Sequence, residues 1–123
     1  MTFDFNDSTT MLKVKEAISD LLFKLNDAKN RIYETRVKNM DSIFKQFIEE
    51  AVAYRNTSQY KLLKAYETEC AHENFFSNFN FEFFQLLQNS DRTIGDFEKI
   101  MTAIGRISSQ LYWESSYISE NYL

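Results

Sequence analysis

Residues 11–54 read MLKVKEAISDLLFKLNDAKNRIYETRVKNMDSIFKQFIEEAVAY, and the spacing of the apolar side chains in this stretch decides the fold class. In its first half they recur at Met11, Val14, Ile18, Leu21, Leu25, Ala28 and Ile32; in its second half they recur at Tyr33, Val37, Met40, Phe44, Phe47, Ala51 and Tyr54. Steps that alternate between three and four keep a side chain on one side of a helix with 3.6 residues per turn, so each half is an amphipathic helix with one inward stripe. The step from Ile32 to Tyr33 is only one residue. On a continuous helix that slip swings the apolar face about 100° around the axis. Two arrangements follow: one long, bent helix from Ser8 to Tyr54, or two helices divided near Asn39 and Asp41, with Asn39 closing the first and Asp41 or Ser42 capping the second. The continuous spine is the expectation taken forward, because no Gly or Pro enforces a stop there.

Composition points the same way. Proline is absent and glycine occurs only at Gly95 and Gly105, where average usage would give about six and about nine. Sheets need tight turns, and tight turns draw on those two residues. A chain of 123 residues with 44% hydrophobic, 26% charged and 16% aromatic side chains is long enough for one modest core and too apolar for disorder. Its charges are spread too evenly for a membrane span. The fold class is all-α: a single-domain bundle of four or five helices, possessing a long N-terminal helix with coiled-coil-like spacing.

Net charge is −4, from 14 basic and 18 acidic side chains, and no Lys/Arg cluster forms a nucleic-acid footprint. Cys70 is the one cysteine, so no internal disulfide is possible. Together with the lack of a charged-then-apolar leader, this gives a reducing cytoplasm as the expectation, either of the producing cell or of an infected host. A composition rich in Asn and Phe and poor in Ala is typical of AT-rich genomes, and a phage, virus or low-GC bacterium is the expected source.

Taken in order, residues 1–7 form a short non-helical lead whose Phe3 and Phe5 would fold back over the first helix, itself capped by Ser8, Thr9 or Thr10. Arg55-Asn56-Thr57-Ser58 is the clearest boundary; Thr57 or Ser58 can cap a helix running to about Asn74 with Leu62, Leu63, Tyr66 and Cys70 on one side. A break at Ser77 to Asn80 and a short helix through Phe81, Phe84 and Leu87 precede the last helix. There Ile94, Phe97, Met101, Ile104, Ile107 and Leu111 make the inward stripe.

The chain holds little that reads as catalytic. Glu69-Cys70-Ala71-His72 has the Glu-x-x-His spacing that ferritin-like di-iron proteins place on helices of a bundle core, where residues three apart share a metal. That resemblance covers four residues, and His72 is the only histidine. Glu69 and His72 thus remain a weak metal alternative, with no cofactor expected. Cys70 and His72, two apart, point to different sides of a helix and do not form a nucleophile pair. The two glycines build no phosphate loop.

What stands out is aromatic. Six of the 12 Phe residues crowd into Phe75, Phe76, Phe79, Phe81, Phe83 and Phe84, and the stretch from Tyr66 to Asp91 holds Glu67, Glu69, Glu73 and Glu82 without a Lys or Arg. Adjacent rings cannot all face one side of a helix, so some cover another helix or face a partner. A second candidate surface is the C-terminal segment, with Tyr112, Trp113, Glu114, Tyr117 and Glu120; it either binds a partner or packs back on the first helix. The expected function is therefore non-catalytic binding by a small acidic inhibitor, immunity-type or adaptor protein that occupies a larger partner with a basic rim. Phe75, Phe76, Phe79, Phe83, Tyr112, Trp113 and Tyr117 would serve as anchors, and Glu73, Glu82 and Glu114 as part of the acidic surround. A two-fold homodimer is expected from the length of the spine. The alternatives are a ferritin-like metal-binding bundle and a helical secretion chaperone or structural subunit.

Overall fold

Ile32 is the last buried residue of the first helix, which ends at Glu34. The computed structural model describes residues 3–34, 40–71 and 94–123, and among these it has four helices and no strand. α1 spans Ser8–Glu34, α2 Met40–Arg55, α3 Ser58–Glu69 and α4 Ile94–Asn121. The protein is an all-α bundle with a long N-terminal helix.

The expectation of one spine from Ser8 to Tyr54 is overturned. The Arg31 guanidinium forks onto the Glu50 carboxylate with N···O distances of 2.8 and 2.7 Å across 19 residues of sequence. Unbroken helix would hold the two about 28 Å apart at 1.5 Å per residue. α1 and α2 are therefore separate helices lying side by side. Tyr33, assigned above to the second stripe, instead ends α1 on its outer side and is exposed. Asn39 lies outside the described residues, while Asp41 and Ser42 sit within α2 rather than before it.

Local chemistry fixes the helix starts. Asp7 takes the N-cap position of α1: its carbonyl accepts from Met11 N at 3.0 Å and its carboxylate from the Thr10 hydroxyl at 3.4 Å. The Ser8, Thr9 and Thr10 expected there lie inside the helix. Thr57 caps α3, its hydroxyl oxygen accepting from Tyr60 N at 3.2 Å while the hydroxyl donates to Tyr54 O at 2.7 Å. One side chain thus satisfies a donor that the first turn of α3 leaves open and an acceptor near the end of α2.

α1 is the central element: α4, α3 and α2 all pack against it, α4 most extensively. Met11, Val14, Ile18, Leu21, Leu25 and Ile32 are buried, so the first-half stripe forms the core as its spacing requires. Phe5 folds back into that core and meets Tyr66 of α3 edge-on at 5.9 Å, with Phe3 beside it at 6.0 Å. Lys15 near the start of α1 donates to the Ser119 hydroxyl near the end of α4. The two long helices overlap along their lengths only if they run in opposite directions.

Candidate functional site

α4 turns two different faces to the protein and to water. Ile104, Ile107, Leu111 and Ile118 are buried against α1. The C-terminal segment is thus a continuation of the last helix, with the inward stripe extended to Ile118. Opposite this stripe, Gly105, Arg106, Ser109, Tyr112, Trp113, Ser116 and Glu120 are exposed.

Tyr112 and Trp113 keep 63% and 52% of their surface in water, although burying such rings is among the larger gains available to a chain. Trp113 stacks on Tyr117 one turn later, with centroids 5.5 Å apart and planes 13° from parallel. Tyr117, half-buried, meets Tyr122 edge-on at 6.3 Å, and Tyr122 packs against the core. The indole plane is thereby set before any partner arrives, which lowers the entropic cost of docking on it.

Glu114, placed by the sequence with the exposed carboxylates of the tail, is a correction. It is 2% exposed and accepts a hydrogen bond from the Tyr66 hydroxyl at 2.5 Å. It follows Leu111 by three residues and precedes Ile118 by four, so it occupies an inward position of the same stripe. Glu67, counted above among the carboxylates of the stretch from Tyr66 to Asp91, is buried with Lys64 Nζ 3.5 Å from its carboxylate. Burial, then the hydrogen bond to Glu114, pushes the Tyr66 phenol well above the ordinary tyrosine range.

The helical premise of the Glu69–His72 pair also fails. α3 ends at Glu69, and Cys70 closes it with its N–H on Tyr66 O at 2.8 Å. Glu69 is exposed, and His72 lies outside the described residues. Among the described residues no three His, Cys, Asp or Glu side chains converge as metal ligands. Burial pushes the Cys70 thiol up, as do the charges of Glu69 and Glu114, which disfavours the reactive thiolate.

The aromatic stretch with Glu73, Phe75, Phe76, Phe79, Glu82 and Phe83 lies outside the described residues, as does the short helix expected through Phe81. Of the proposed anchors, the structure brings Tyr112, Trp113 and Tyr117 together. The sequence reading missed exposed apolar residues on α1: Leu12, and above all Phe23 at 74% exposure. Their signal is positional, since neither falls on the inward stripe. They stand three turns apart, about 16 Å along the helix, and so form no continuous patch with each other. Among the described residues no helix is long and apolar enough to cross a membrane. Comparison with known protein families, characterised proteins and solved structures finds no match for the chain.

Proposed function

We propose that the protein acts by binding another protein, and that the outer face of α4 is where it docks. The observation that supports this reading is exposed Trp113 pre-stacked on half-buried Tyr117, with exposed Tyr112 next to it in sequence. Aromatic side chains held rigid and half in water are the usual anchors of interfaces, because they add contact area at small entropic cost. Phe23 and Tyr33 on α1 are exposed too, but they stand about 15 Å apart along the helix and form no pair with each other.

The net charge of −4 steers a cationic partner toward the molecule at long range. With Glu67 and Glu114 buried, the exposed acids of this face among the described residues are Glu98 and Glu120. Affinity therefore rests on the rings, and charge acts mainly on the association rate. An inhibitor, immunity protein or adaptor would work in this way, by occupying a surface without chemistry.

The test is quantitative capture from extracts of the encoding cell or its host, using the parent and the variants Trp113→Ala and Tyr112→Ala after each shows parental helicity and melting. Truncating Trp113 should weaken binding of the captured protein by about 2 kcal/mol or more, roughly 30-fold. Binding unchanged in both variants would place the interface elsewhere.

A further inference from the structure

The outer face of α4 has a symmetry that docking on an unrelated protein does not require. Arg106, Trp113 and Glu120 are exposed and follow one another at intervals of seven residues. Each interval advances about 10.5 Å along the helix and only about 20° around it. They form one line, basic then aromatic then acidic, with the ring midway between opposite charges. Ser109 and Ser116, also exposed, fall at the intervening three- and four-residue steps. Steps of three and four keep these five positions on one line of the helix, and the small serines on either side of Trp113 leave room for a ring from across it.

We propose that this face docks on the same face of a second copy of the chain, antiparallel, with the two-fold axis near Trp113. Charge complementarity selects this occupant and this direction. A two-fold rotation lays Arg106 of each copy over Glu120 of the other, giving two opposite-charge contacts, whereas parallel docking sets Arg106 on Arg106 and Glu120 on Glu120. At Gly105, on the same side of the helix, an added Cβ would meet no atom within 4 Å, so the chain's own packing does not occupy the face there. The original ground for a dimer, an over-long spine, disappears with the division of α1 from α2.

Size sets the strength. From Thr102 to Glu120 the face is about 27 Å long and about 10 Å wide, roughly 300 Å² per copy, against about 800 Å² per partner in a standard stable interface. The dimer is consequently weak and releases the face on dilution. Self-docking would compete with the heterologous docking proposed above, because both use Trp113, but neither depends on the other.

Sedimentation equilibrium of the full chain from about 1 µM to about 1 mM tests the inference. The parent should pass from monomer to dimer mass. Arg106→Glu and Glu120→Arg, each alone, should raise the dissociation constant about tenfold, since each sets like charges together at both ends. An equimolar mixture of the two variants should associate as tightly as the parent, because the mixed pair again has opposite charges at both ends. All three residues are exposed, and circular dichroism and a thermal melt establish that each variant keeps the parental fold before its mass is read. A parent that stays monomeric, a dimer indifferent to both reversals and to Trp113→Ala, or a mixture no tighter than its components would overturn the proposal. Loss of partner capture in Trp113→Ala with a monomeric parent would leave the proposed function standing and remove only the dimer.

Discussion

Glu114 carries a carboxylate into the space between α3 and α4, and the Tyr66 hydroxyl is what meets it there. Removing one member of a buried hydrogen-bonded pair leaves the other desolvated, at a cost of about 1–3 kcal/mol. Glu114→Ala and Tyr66→Phe should each lower stability by that amount in urea denaturation, and the double variant should lose less than the sum. A change within about 0.5 kcal/mol for Glu114→Ala is what an exposed rim residue would give, and would contradict its placement. The same pair sets a pH dependence. Because the folded phenol is raised by burial and by Glu114, the folded chain keeps a proton that the unfolded chain releases near pH 10. Stability is whole below about pH 10 and falls above it, by up to about 1.4 kcal/mol per pH unit. Tyr54, raised by burial and then by the charge of Asp20, acts in the same direction. The urea midpoint should therefore drop between about pH 9 and about pH 11, and the drop should shrink in Tyr66→Phe; a midpoint that holds constant through this window would argue against a buried phenol.

At the scale of the helices, caps and glycine make separable contributions. Thr57→Ala removes the oxygen that receives Tyr60 N and should cost about 1 kcal/mol of stability. Gly105→Ala should do the reverse, adding about 0.5–1 kcal/mol, since the glycine lies within a helix, has no positive φ, and leaves open space where the methyl would go. Thermal melts of both, read against the parent, check the signs; a destabilising Gly105→Ala would mean that something packs against that position. The helices themselves were legible because apolar side chains recur with a helical period: the stripe from Met11 to Ile32 and the one from Ile104 to Leu111 are the core. Thr57 was legible as a cap for the same kind of local reason. The division of α1 from α2 was harder to read, because its sign was a phase slip and not a breaker, and the contact that settles it, Arg31 on Glu50, is tertiary. Glu67 and Glu114 escaped the sequence reading because a carboxylate on an inward position is read as polar before it is read as periodic. Its position relative to Leu111 and Ile118 was the available clue.

For the whole molecule, α1 is the element against which the other three described helices pack, and α4 leaves Tyr112 and a stacked Trp113 in water. The candidate site was half legible: Tyr112 and Trp113 in a tail without basic residues drew notice, but their exposure depends on which side of α4 meets α1, and that is a tertiary fact. Binding through this face, whether to another protein or to a second copy, is the central claim. The direct measurement is photo-crosslinking in the encoding cell or its host, with a photoreactive residue placed at Tyr112 and, as a control on the exposed side of α1, at Phe23. Adducts should form from position 112, with a mass that identifies the second polypeptide, and should be absent or sparse from position 23. Adducts from position 23 alone, or none from position 112 at any concentration, would show that the outer face of α4 is not where this protein meets its partners.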